Sequence, residues 1–522
     1  MLLKRVVLPA LAFLALSQPL LAQTEATVTT QELTIDEKIN NWIQPATEVI
    51  SNIIFYPIQF TDSISVPFIL IWLLVGAAFF TIYLGFINVT GFGRALKIIK
   101  GIYTKPSDPG QTTHFQALTA ALSGTVGLGN IAGVAIAISV GGPGATLWMI
   151  LAGFLGMTSK FTECTLAVKY RDIEADGTVN GGPMYYLKRG FAERGNKTVG
   201  KVLAAFFAIM CIGGSFGGGN MFQVNQAAQQ FVSLPIIRDT FLADSLWIFG
   251  AIMAGLVAIV IMGGITSIVK VTEKIVPFMC GLYVLGAIVV IGANFGNLPN
   301  AIGLIFEGAF SGTAVAGGII GAMIQGIRRA AFSNEAGVGS AAIAHSTVKT
   351  SIPVTEGFVA SLEPFIDTVV VCTMTALVII ITGNYNDPAA DGIALTSNSF
   401  ETVISWFPIL LSVAVILFAF STMISWSYYG LKSWTYLFGR SKATEITYKV
   451  IFCMFVIIGA AMSLGAVTDF SDAMIFAMSF PNLIGLYFLA PIVKREMKAF
   501  LKFADGKSDT PVPSEDTEKV IA

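Results

Sequence analysis

SGTVGLGNIAGVA, residues 123–135, decides how this chain is read. Four of its thirteen residues are glycine (Gly124, Gly127, Gly129 and Gly133), and it lies inside a run without formal charge from Thr113 to Val140. Glycine lowers helix propensity by about 1 kcal/mol relative to alanine. A backbone amide or carbonyl left bare in hydrocarbon costs several kcal/mol more. Two readings account for the glycines. One is close helix packing through small residues, since Gly129 and Gly133 form a GxxxG pair. The other is a helix interrupted inside a protein cavity, where freed backbone groups meet a solute.

The surroundings are membrane-like. The chain has 522 residues, 54% hydrophobic and 12% charged; soluble domains carry about twice that charge. Uncharged runs at 66–88, 113–140, 202–231, 245–269, 275–298, 308–327, 402–431 and 473–493 are each long enough to cross a bilayer. Apolar segments near 145–168, 357–382 and 446–468 carry one or two charges each. The expected fold class is therefore an all-α polytopic membrane protein of about 11 transmembrane helices. A net charge of −1 gives no reason to expect a nucleic-acid partner. The five cysteines fall in apolar spans and read as packing residues.

Residues 1–22 read as a signal-peptide-like leader, with Lys4 and Arg5 before an apolar core and Ala22 at its end. Residues 23–62 read as an extracytoplasmic amphipathic segment, and 63–90 as an extra transmembrane helix. Lys and Arg collect in alternate loops, among them Arg94, Lys97, Lys188, Lys270 and Lys432, while the opposite loops hold Arg238 and the acids Asp387, Asp391, Asp469 and Asp472. By the positive-inside rule the N-terminus lies outside and the C-terminus, a polar tail over 496–522, in the cytoplasm. With the extra helix set aside, ten spans divide into 113–298 and 308–495. Both halves open on spans rich in small residues, the sequence mark of two broken helices in a transporter. An odd number of spans per half makes the halves inverted.

Several motifs carry a resemblance: TVGLGNIAGVA, GGPGA at 141–145, NGGPMYYL at 180–187, FSNEAGVGSA at 332–341, EPFIDT at 363–368 and FAFSTMISWSYYG at 418–430. In this order they resemble the alanine or glycine:cation symporter family, the sodium:alanine symporters. VGLGN is similar to the broken first core helix of the neurotransmitter:sodium symporters. The resemblance implies a 5+5 inverted-repeat core with two broken helices. It also implies a sodium-coupled carrier that imports small neutral amino acids such as alanine and glycine across the cytoplasmic (inner) membrane.

The chemistry of such a site can be assigned to residues. An amino-acid carboxylate needs donors, which amides around Gly127, Leu128 and Gly129 would supply at a helix N-terminus. The ammonium would take carbonyls around Gln325 and Gly326, in the span opening the second half. Gln223 and Asn225 would line the wall, or else bond between helices. Trp426, four residues after Thr422 on one helical face, would cap a small side chain. Sodium is a hard cation and takes oxygen ligands. Ser421 and Thr422 offer adjacent hydroxyls, unless these only back-bond to the preceding turn. The resemblance adds Ser123, Val126 and Phe418 as sodium ligands. Asn130 would serve a second ion or brace the break.

Other functions leave marks that can be checked. Proton coupling needs a core acid. Glu163 beside Lys160, and Glu335 beside Arg328 and Arg329, read as internally paired, whereas Glu363 and Asp367 have no basic neighbour in sequence. An enzyme is not expected: the two histidines, His114 and His345, form no metal motif, GLGNIAG follows no strand, and SNEAGVGS lacks the context of a serine elbow. No resident cofactor is expected. A passive channel, lined by the same breaks, remains the alternative to a carrier.

Overall fold

The computed structural model describes residues 35–61, 64–310, 318–386 and 392–512. The leader at 1–22, Asp387 and Asp391 lie outside them. Helices dominate. Two short antiparallel hairpins, Pro57–Thr61 with Ile64–Pro67 and Asp172–Ile173 with Val179–Asn180, are the strand pairs among the described residues. Helix α1 (Ile35–Ile54) packs on the final helix, and α2 (Phe68–Tyr83) is the first apolar one.

The decisive stretch is broken. Helix α3 (His114–Thr125) starts at a capping box between Thr113 and Gln116 and ends at Val126. A single 3-10 turn, Leu128–Asn130, leads into α4 (Ala132–Gly141), bent by 58° from α3. Then come α5 (Ala145–Lys169), α6 (Pro183–Glu193) and α7 (Lys197–Phe216), which passes through a π-turn at Gly217–Met221 into α8 (Phe222–Val232). Helices α9 (Leu246–Ile261) and α10 (Gly264–Ala293) follow.

The second half runs through α11 (Leu298–Phe310), α12 (Gly318–Asn334), α13 (Ala341–His345), α14 (Pro353–Ala360) and, after a π-helical stretch over Phe365–Cys372, α15 (Thr373–Thr382). Helices α16 (Gly392–Glu401), α17 (Phe407–Phe438), α18 (Lys442–Ala461) and α19 (Leu464–Ala504) complete it.

Among the described residues, six helical segments are long and apolar enough to cross a membrane, and the bent α3–α4 pair makes a seventh. The expected eleven is not reached by this measure, for local reasons. Helices α2 and α9 have 16 residues each. Helix α5 carries Lys160 and Glu163 in its interior. The span opening the second half includes residues 311–317, which lie outside the described residues. The boundary between the expected spans 446–468 and 473–493 falls at Met462 and Ser463, inside the first of them. Helix α19 continues to Ala504, so the tail expected from 496 starts as helix, and Asp469 and Asp472 belong to that helix rather than to a loop.

Burial supports a lipid environment. Ile259 and Phe278, on α9 and α10, are 75% and 61% exposed, while Lys160, Glu163, Glu363 and Asp367 are each 0% exposed. Apolar groups face out and ions face in, the arrangement that hydrocarbon selects.

Candidate functional site

The break between α3 and α4 is held open by side chains. The amide of Val126 still bonds to the Leu122 carbonyl at 2.7 Å, the last helical bond of α3. The next amide, of Gly127, donates instead to Asn130 Oδ1 at 2.9 Å, and that of Leu128 to Gln223 Oε1 at 3.0 Å. Asn130 Nδ2 reaches Asp367 Oδ1 at 2.6 Å, so Asn130 ties the break to the π-helical stretch after α14. Gly127 is needed for space: a Cβ there would lie 2.5 Å from Thr422 Oγ1 and 2.9 Å from Gln223 Oε1. A Cβ at Gly129 would press on the Phe332 ring at 3.2 Å.

The second break is not where small residues suggest it. Gln325 and Gly326 lie inside the continuous helix α12, so their carbonyls are not freed. Gly326 is a packing glycine. A Cβ there would sit 2.3 Å from the Ala145 carbonyl oxygen and 2.7 Å from Trp148 Cβ. The interruption falls between α12 and α13, over 335–340. Glu335 adopts φ 55°, and Gly337 and Gly339 have φ of 86° and 92°, a region that side chains seldom enter. The Glu335 carboxylate accepts from Ser340 Oγ and, at 3.0 Å, from Trp426 Nε1. The Gly337 carbonyl accepts from Asn482 Nδ2 at 2.8 Å.

Four of the residues expected around sodium are joined through oxygen atoms where α17 crosses α3. Thr422 Oγ1 donates to the Ser123 carbonyl at 2.9 Å, and Ser123 Oγ to the Ser421 carbonyl at 2.6 Å. Ser421 Oγ donates to the Phe418 carbonyl at 3.0 Å, which is back-bonding to its own turn. Val126 ends α3 and is fully buried. Side-chain hydroxyls and carbonyls of this kind form a neutral oxygen set suited to a monovalent cation.

Between the two breaks lies a cavity of about 10 Å³, room for about one water molecule. Gly124, Gly129, Gln223, Phe332, Glu335 and Trp426 line it. Trp426 Nε1 also donates to the Gly124 carbonyl at 3.2 Å, so the indole bridges both breaks. Asn225 is not part of this wall. Its amide donates to the carbonyls of Gly459 and Met462, closing the end of α18. A larger cavity of about 550 Å³ lies apart, beside Tyr83, Lys494 and Lys498, and touches none of these residues.

Charges pair across the fold rather than along the sequence. Arg328 and Arg329 bond to Asp472, Arg328 at 2.7 Å, and not to Glu335. Lys160 donates to Glu363 Oε2 at 3.2 Å, while Glu163 accepts from Asn482 at 2.8 Å. Glu363 also faces His345 Nε2, and Glu356 stands between His345 and His114. Asp367 has neutral hydrogen-bond partners: Asn130, Ser333 and Thr368. Phe332 and Glu335 at the site were not expected there, and the glycine pair flanking Val338 was the local signal for Glu335; Asp367, set apart in the sequence as an acid without a basic neighbour, reaches the break through Asn130.

Known proteins place this architecture. The model of the sodium:alanine symporter family matches residues 51–513. The chain is 41% identical over 438 residues to the sodium/alanine symporter AgcS of Methanococcus maripaludis, covering 83% of this chain and 94% of that one. It is 33% identical to the probable sodium/glutamine symporter GlnT of Bacillus subtilis, over 83% of this chain and 88% of that one. The crystal structure of MhsT in complex with L-phenylalanine covers 74% of this chain and 98% of its own, with a TM-score of 0.51 at 16% identity, a likeness of fold. Extended over nearly all of the described spans, these similarities show that the chain belongs to the sodium:alanine symporter family of multi-pass membrane amino-acid:cation symporters.

Proposed function

We propose that this protein is a sodium-coupled symporter that imports small neutral amino acids, alanine and glycine foremost, by alternating access in the cytoplasmic membrane. The observation that carries the reading is the interrupted helix at Val126–Leu128, whose backbone faces hydroxyls of α17 on one side and a cavity on the other. Sodium binds where Ser123, Val126, Phe418, Ser421 and Thr422 converge. The amino acid binds between the breaks, its carboxylate toward Gly127, Leu128 and Gly129. To reach those amides it displaces the Gln223 carbonyl oxygen from Leu128.

The ammonium is assigned to Glu335 in place of Gln325 and Gly326, because the Glu335 carboxyl lines the cavity and offers acceptor oxygens there. Trp426 and Phe332 leave space for a small side chain only. The sodium and the zwitterion share the segment 123–129, so binding of one favours the other, and by linkage the coupling is reciprocal. The core consists of two inverted five-span halves, 113–298 and 308–495, with the N-terminus outside and the C-terminus cytoplasmic. Support comes from the distribution of Lys and Arg and from the paired interruptions.

The test is uptake of labelled alanine into proteoliposomes with and without an inward sodium gradient. Accumulation above the external concentration only with the gradient supports the symporter; equal equilibration in both supports a channel. Accumulation driven by a pH gradient without sodium supports the proton-coupled alternative, for which Asp367, buried among neutral hydrogen-bond partners, is the proton site.

A further inference from the structure

Five buried ionisable side chains form an unbroken relay away from the proposed sodium site: His114, Glu356, His345, Glu363 and Lys160. His114 Nδ1 faces one Glu356 oxygen and His345 Nδ1 the other. His345 Nε2 faces one Glu363 oxygen, and Lys160 Nζ donates to the other at 3.2 Å. None is more than 3% exposed. The relay ties the first turn of α3 to the last residue of α13, and both to α5 and to the span that starts with α14. These are the outer ends of the two broken helices.

Proton count gives the relay its chemistry. Both ring nitrogens of His345 face carboxylates, so the closed arrangement needs two protons on that ring, or one on a carboxyl. With one extra proton on the ring or a carboxyl, the five groups sum to zero: two positive charges against two negative, or one against one. Without it they hold a net buried negative charge, which is costly. The other groups around the relay are Glu163, Cys164, Glu335, Arg171, Tyr186 and Tyr429. Opened to water, an imidazole ordinarily keeps its second proton only below about pH 6.5.

We infer that this relay is a proton-binding latch, which closes the pathway on the side of His114 and His345 by taking up one proton and opens by releasing it. The inference rests on the carrier reading above. Raising the pH removes the proton that the closed form requires, so opening is favoured by at most about tenfold per pH unit for one proton.

Alanine counterflow in proteoliposomes, at equal sodium and equal pH on both sides, tests it between about pH 6 and about pH 9. The wild type speeds up several-fold as pH rises, and His345→Gln removes that slope while leaving half-saturation by sodium as in the wild type. A slope of the same size in His345→Gln, or none in the wild type, overturns the latch. Absence of counterflow at every pH would instead overturn the carrier reading. Should His345→Gln fail to fold, hydrogen–deuterium exchange of residues 341–363 in the wild type, corrected for intrinsic rates, decides. Protection lost as pH rises supports the latch, and protection independent of pH contradicts it.

Discussion

Trp426 Nε1 stands 3.2 Å from the Gly124 carbonyl and 3.0 Å from the Glu335 carboxylate, one donor joining both interrupted helices. The indole is 1% exposed and packs so closely on the π-turn between α7 and α8 that a Cβ at Gly219 would lie 2.2 Å from its Cγ. It therefore sets both the size of the cavity and the spacing of the breaks. Trp426→Ala should admit bulkier neutral amino acids, read as inhibition of labelled alanine uptake by leucine or phenylalanine. Selectivity unchanged from the wild type would remove Trp426 from the specificity wall.

Thr422→Val keeps the shape of the side chain and removes the hydroxyl that bonds to the Ser123 carbonyl. One lost ligand or hydrogen bond to a charged group is worth about 1.5–3 kcal/mol. The sodium concentration for half-maximal uptake should rise about tenfold or more. An unaltered sodium dependence would place the ion elsewhere.

Gly127→Ala puts a methyl group against Thr422 and Gln223. The backbone angles there, φ −136° and ψ −151°, suit alanine, so the effect is one of space alone. Uptake should fall about tenfold or more, with the protein still present in the membrane by immunoblot. Wild-type uptake would show that the amides at 127–129 do not touch the solute.

Asp472→Asn tests the fold rather than the site. Arg329 is 2% exposed and Asp472 0%, and Arg328 shares the same carboxylate. Removing one partner from a buried pair costs about 3–5 kcal/mol. The detergent-solubilised variant should melt at clearly lower temperature, and double replacement with Arg329→Met should recover part of the loss.

The two breaks were not equally legible in the sequence. At 123–130, three glycines and Asn130 fall close together in an uncharged run, and there the close approach of Tyr429, Thr422, Gln223 and Phe332 goes with an interrupted helix. Around Gln325, small residues serve the other purpose, letting α12 approach the backbone of α5 at Ala145. Composition alone does not separate these uses. The break itself sits in a charged motif whose Glu335 takes a left-handed backbone, and local pairing with Arg328 and Arg329 was the natural sequence expectation. The ions find partners far along the chain: Lys160 and Glu363 are 203 residues apart, Arg328 and Asp472 144. Such pairs arise only once helices pack, so the sequence shows that buried charges need partners without showing which.

Binding of labelled alanine to the purified protein at graded sodium concentrations, in the wild type and in Thr422→Val, tests the shared site most directly. A common segment at 123–129 predicts alanine affinity that rises with sodium in the wild type, and a response in Thr422→Val shifted to higher sodium. Alanine affinity indifferent to sodium in the wild type would contradict it.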